Sequence, residues 1–169
     1  MKLITIVLLT IFLTGCGVYN LTNFTIPNDN EFVAVIESLD TPKKICQYMH
    51  DNFEHKVTIF ACYDPYIMWL LNTKAGDCND YATWAMFVAH YHGYEVYMAI
   101  VYSGSIYSHA LAIFVENGKY NYSSNDVYCP VQVNTFKEII DCHAKSWNIK
   151  VKSYKIYDYN MNLVKYEKK

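Results

Sequence analysis

Gly76-Asp77-Cys78-Asn79-Asp80-Tyr81-Ala82 opens a run, Tyr81 to Tyr91, that contains no charged side chain. A helix that is apolar on every side is buried in the middle of a domain. The pattern therefore predicts a central helix from Cys78 to His92, with Gly93 as its C-terminal cap. Asp77 and Asp80 suit its N-terminus as cap and dipole partners. Upstream the signals are also helical. Thr41-Pro42 pairs an N-cap with a proline at the first helical position, and Ile45, Tyr48, Met49 and Phe53 follow at helical spacing. A shorter helix is expected at 31–38, and Asp64-Pro65 predicts another over 66–72. Downstream the character changes. Residues 95–102, 108–115 and 119–124 read as strands, with Asn117-Gly118 as a hairpin turn. A helix is expected over 135–147 and a last strand over 150–159. The fold class that follows is α+β, a buried central helix packed on an antiparallel sheet.

Composition agrees with one folded domain. The chain has 169 residues, 53% apolar and 18% charged, which excludes disorder. Formal net charge is -2, and all 14 basic residues are lysine. Arginine is the preferred tool for bidentate phosphate and base recognition. A near-neutral chain without it argues against nucleic-acid partners.

The N-terminus reads as an address. Met1-Lys2 is followed by Leu3 to Leu13, apolar apart from two threonines and too short to span a bilayer. Leu13-Thr14-Gly15-Cys16 resembles a bacterial lipobox, in which the cysteine is diacylated with palmitate-like chains and becomes the new N-terminus. The expected organisation is a lipoprotein signal peptide at 1–15, a lipidated tether at 16–30 and one domain at 31–169. Two acyl chains make a stable anchor, so the domain is expected outside the cytoplasm, tethered to a membrane.

Cys78 is the candidate nucleophile. At a helix N-terminus, free N–H groups and the macrodipole favour anions, so its thiol pKa is expected to fall. Its own N–H points where an oxyanion would form. A nucleophile needs a positioned base. His109 opens the apolar stretch Ala110 to Phe114 and is the candidate; His50, His55 and His143 sit in more polar sequence, and His90 and His92 read as caps.

Gly-Asp-Cys-x-Asp-x-Ala before a buried helix, then His109-Ala110 on a strand, then Asn117-Gly118-Lys119-Tyr120, resembles the transglutaminase-like superfamily over about residues 41–125. The resemblance implies a papain-like core, Cys78 as nucleophile, His109 as base, and an acid or amide on the next strand. Simple counting puts Ser124 at the third position. A two-residue turn places Asp126 opposite His109, and a three-residue loop with a bulge places Asn125 there. Asn125 is the expected member. Tyr66 and Trp69 are candidates for a second oxyanion donor, or core aromatics. The implied activity is thiol chemistry on amide bonds of a peptide or protein substrate, hydrolysis rather than cross-linking, with no cofactor and no metal. The alternative is a catalytically inactive binding module on a surface lipoprotein. Cys46, Cys62, Cys129 and Cys142 are expected to form two disulfides, leaving Cys78 as the odd thiol.

Overall fold

The structure, a computed structural model, describes residues 21–56, 63–70, 75–104 and 108–168. The signal peptide, Cys16, the first part of the tether, Cys62 and the end of the helix expected over 66–72 lie outside the described residues. The remainder of the tether belongs to the domain. Leu21 is buried, Phe24 packs edge-on against Phe87 with ring centroids 5.0 Å apart, and Asp29 caps the first helix. The domain boundary expected at residue 30 therefore moves back at least to 21.

The helices are α1 (Asn30–Ser38), α2 (Pro42–Asn52), α3 (Pro65–Leu70), α4 (Cys78–Tyr91) and α5 (Phe136–Ser146). Their starts follow the sequence signals. Thr41 Oγ1 accepts from Lys44 N–H, and Asp64 Oδ1 accepts from Ile67 N–H at 2.7 Å. The strands are β1 (Glu54–His55), β2 (Ala75–Gly76), β3 (Val96–Tyr102), β4 (Ser108–Glu116), β5 (Lys119–Ser124), β6 (Val127–Val133), β7 (Ser153–Asp158) and β8 (Leu163–Lys168). β1 and β2 form a short parallel pair. The other six make one antiparallel sheet in the order β6-β5-β4-β3-β7-β8.

The sheet is covered on both faces. Ala110, Ala112 and Phe114 of β4 share one apolar cluster with α1, α2 and α4. Leu111 and Ile113, the alternate residues, share the other with Ile139 and Ile140 of α5 and with Tyr154 and Ile156 of β7. The sequence reading lacks the short β1–β2 pair and two strands of the large sheet. β6 contains Pro130, which removes a ladder donor, and it lies at the sheet edge where that loss is tolerated. β8 lies at the opposite edge, with Leu163, Val164 and Tyr166 exposed.

The two expected disulfides do not form among the described residues. Cys46, Cys78, Cys129 and Cys142 are all free. Cys46 belongs to the α4 side of the sheet, whereas Cys129 and Cys142 belong to the α5 side, so the sheet itself stands between them.

The turn into α4 is tightly packed. A Cβ on Gly76 would lie 2.7 Å from Asp80 Cβ, 3.0 Å from Asp80 Oδ2 and 3.1 Å from Met68 Cε. Gly76→Ala is expected to cost about 1–3 kcal/mol through overpacking, read as a lower urea midpoint. Gly104→Ala, where nothing lies within 4 Å, should leave the midpoint unchanged. Equal midpoints for the two variants would refute the packing role.

Candidate active site

Cys78 is the first residue of α4, and Asp77 is its N-cap. Asp77 Oδ1 accepts from Asn79 N–H at 2.9 Å. Asp80 closes the reciprocal half of the box, accepting Asp77 N–H on Oδ2 at 2.9 Å. Its Oδ1 accepts Tyr63 N–H, also at 2.9 Å. Asp80 is thus more than a cap. At 1% exposure it ties the backbone ahead of α3 to the turn that carries Cys78. Burial pushes its carboxyl up to about 6, with the Tyr63 and Asp77 amides pulling it back.

Burial also raises the Cys78 thiol above its ordinary value. The amides of Ala110, Cys78 and Asn79 pull it down, and the Asp77 carboxylate pushes it up. The sequence expectation of a lowered thiol is corrected here: N–H groups do point at the sulfur, but loss of water outweighs them.

His109 is carried by β4, whose Ala110 amide bears on the thiol. Side chains alternate across a strand. Ala110 faces α4, while the His109 ring leans toward α5, with ring centroids 5.4 Å from His143 and 6.3 Å from Trp147. Thiol and imidazole therefore flank β4 at one point. No hydrogen bond joins them among the described residues.

The partner of the imidazole is Ser124. Its Oγ lies 2.9 Å from His109 Nε2. The expected partner, Asn125, does not occupy that place. The turn at Asn117-Gly118 is a two-residue turn with both residues left-handed (φ 54 and 73) and Glu116 paired with Lys119. That register pairs Ser124 with Leu111, on the same face as His109. Asn125 lies beyond the strand end at φ 52, and its Oδ1 is buried with no hydrogen-bond partner among the described residues. Asp126 is engaged elsewhere, its Oδ2 2.8 Å from His50 Nδ1. Tyr66 is also committed: its hydroxyl donates to Asp29 Oδ2, and its ring stacks on Trp69.

His143 was not singled out by its sequence surroundings, yet it is 1% exposed and its ring lies within 12° of parallel to His109. Its spacing holds a usable signal, because Phe136, Ile139, Ile140, His143 and Trp147 recur on one helical face. Burial lowers both imidazoles to about 4; the second cause is His55 for His109 and His109 itself for His143. Ser124 brings no negative charge to offset that loss of water. The pair Cys78 and His109 is accordingly neutral near pH 7, a thiol beside an imidazole rather than a thiolate beside an imidazolium.

No known family's model matches the chain, and no curated protein is similar to it.

The three perturbed groups set an acid profile. Histidine ionises near 6.5 when unperturbed, and His109 and His143 near about 4 in the fold. Between those values the unfolded chain holds more protons, so their stabilisation is complete above about 6.5 and drains as pH falls toward 4. Asp80 acts in the opposite sense. Its carboxyl moves from 3.8 to about 6, so the fold holds the extra proton and gains as pH falls through that window. Two imidazoles outweigh one carboxyl. The melting temperature is expected to drop from pH 7 to pH 4.5, more steeply in Asp80→Asn and less steeply in His143→Phe. Parallel profiles for all three proteins would overturn the assignment.

Proposed function

We propose that this protein is a membrane-tethered thiol enzyme of transglutaminase-like type, acting on amide bonds of peptides or proteins by hydrolysis through a papain-like core. One observation carries the reading. The buried helix that begins at Cys78 abuts the strand residue after His109, and His109 Nε2 is engaged by Ser124, fifteen positions on, where the superfamily's acid would fall.

The chemistry runs from a neutral pair. With Nε2–H donating to Ser124 Oγ, Nδ1 is the basic nitrogen of His109. It takes the Cys78 Sγ proton as sulfur bonds to the amide carbon. The Cys78 N–H, spared from intrahelical bonding, faces the developing oxyanion. His109 returns the proton to the leaving amine as the C–N bond breaks, giving a thioester. Water then adds to the thioester carbon with its proton passing to Nδ1, and the C–S bond breaks as Nδ1 returns that proton to sulfur, releasing the carboxylic acid and the free thiol. Because sulfur and ring are not hydrogen-bonded at rest, substrate binding has to bring them into line; catalytic contacts commonly tighten in this way.

A second reading has its own support. A serine in place of a carboxylate, a raised thiol pKa and the missing sulfur–imidazole bond all favour a binding module that has lost catalysis. The pH profile of iodoacetamide alkylation separates the two. For the enzyme, alkylation of Cys78 speeds up near neutral pH when a saturating peptide amide is added, and that gain is lost in His109→Ala. For the module, alkylation follows an ordinary or raised thiol titration and ignores His109. Ser124→Asp adds the missing charge. It should raise the His109 pKa, followed by NMR, by roughly one to three pH units, and accelerate alkylation at pH 7 if the enzyme reading holds.

The anchor rests on Leu13-Thr14-Gly15-Cys16. We place the domain outside the cytoplasm on a diacylated Cys16. Metabolic labelling with a fatty-acid probe should be incorporated by the full chain and lost in Cys16→Ala; labelling that persists in the variant removes the anchor.

A further inference from the structure

A cavity of about 340 Å³ opens on the α5 side of the sheet, walled by His109 and Val101 from the strands and by His143 and Trp147 from α5 and its end. It is at the small end of ligand sites, which run from roughly 300 to 1,000 Å³. No charged side chain lines it among the described residues, and its hydroxyls are those of Ser103 and Ser108.

We propose that this cavity binds one uncharged aromatic side chain together with its adjoining peptide group. Calling that group part of a substrate rests on the thiol-enzyme reading; the chemical class of the occupant does not.

Three observations converge on this class. The first is the arrangement of rings. His109 and His143 lie nearly parallel at 5.4 Å, with Trp147 tilted 38° to His143 and 44° to His109. Parallel imidazoles hold their lone pairs in parallel planes, so the pairs do not converge on one metal ion; with His143 1% exposed, the ring surface open to an occupant is that of the part-exposed His109 and the Trp147 indole. The second is polar. Ser103 and Ser108 put hydroxyls on the lining, donors and acceptors for the N–H and C=O of a peptide group. The third is electrostatic. Both imidazoles are held neutral by burial, and among the described residues the lining offers neither a cation to a carboxylate nor an anion to an ammonium. Trp147 is 56% exposed, leaving apolar ring surface for an occupant to cover.

The full chain in detergent is titrated with four blocked amino acids: N-acetyl-phenylalaninamide, N-acetyl-alaninamide, the α-amide of N-acetyl-aspartate, and N-acetyl-lysinamide. Binding is read from tryptophan fluorescence and from the imidazole NMR signals of His109 and His143. The phenylalanine probe should saturate both signals, and the other three should bind at least about tenfold more weakly. Trp147→Phe should abolish the fluorescence change while the imidazole shifts remain, and Trp147→Ala should weaken binding about tenfold. Equal response to all four probes, or no effect of Trp147→Ala, overturns the proposal. If selective binding holds while alkylation of Cys78 ignores His109, the enzyme reading fails and the aromatic site stands. If alkylation depends on His109 but no probe is selected, the reverse is true.

Discussion

The burial of α4 is the constraint on which the rest depends. Every residue from Asp80 to Ala89 is buried, so the helix must be enclosed on all sides. Small side chains make this possible. Ala82, Ala85 and Ala89 on the helix and Ala110 and Ala112 on β4 all belong to the same enclosed cluster, and close approach of backbone elements requires such residues. With the helix fixed, its N-terminus is fixed too, at the end of the sheet where β3 finishes and β4 begins. Cys78 cannot sit elsewhere. The cost of enclosing that end falls on Asp80, a carboxylate at 1% exposure that is tolerated because it accepts two backbone N–H groups. Aspartate at this position is thus set by the geometry of the turn, and Gly76 by the aspartate.

The same enclosure decides the electrostatics of the site. A helix N-terminus favours a thiolate, but only if water or a positive partner completes the stabilisation. Here the amides of Ala110, Cys78 and Asn79 favour the anion, and burial together with the Asp77 carboxylate opposes it. His109 is lowered by the same loss of water, and its hydrogen-bond partner is a neutral hydroxyl. Each member of the pair is therefore pushed toward its uncharged form. A carboxylate at position 124 would reverse this for the imidazole and, through it, for the thiol. The choice of serine is thus an electrostatic setting as well as a structural one.

Much of the frame was legible in the sequence. The caps at Thr41 and Asp77, the hairpin at Asn117-Gly118 and the uncharged run after Asp80 each rest on local chemistry that tertiary packing does not override. What was not legible depends on which side of the sheet a residue faces, and on edges. Pro130 disguised β6, because a proline in an apolar run argues against a central strand and says nothing against an edge one. Asn125 would face the imidazole only with a three-residue loop; the two-residue turn shifts the register and delivers Ser124 to the His109 face. The nearest sequence neighbours of His143, Cys142, Ala144 and Lys145, do not announce a buried position, although its helical-face neighbours Ile139 and Ile140 do.

The alternation along β4 has a consequence for how the two faces cooperate. The strand gives Ala110, Ala112 and Phe114 to α4, and His109, Leu111 and Ile113 to the α5 side. An imidazole opening such a strand stands at the boundary of two layers: its backbone neighbour bears on the sulfur on one side, while its ring rests on His143 and Trp147 on the other. Whatever fills the space beside Trp147 therefore touches the same ring whose Nε2 lies 2.9 Å from Ser124 Oγ.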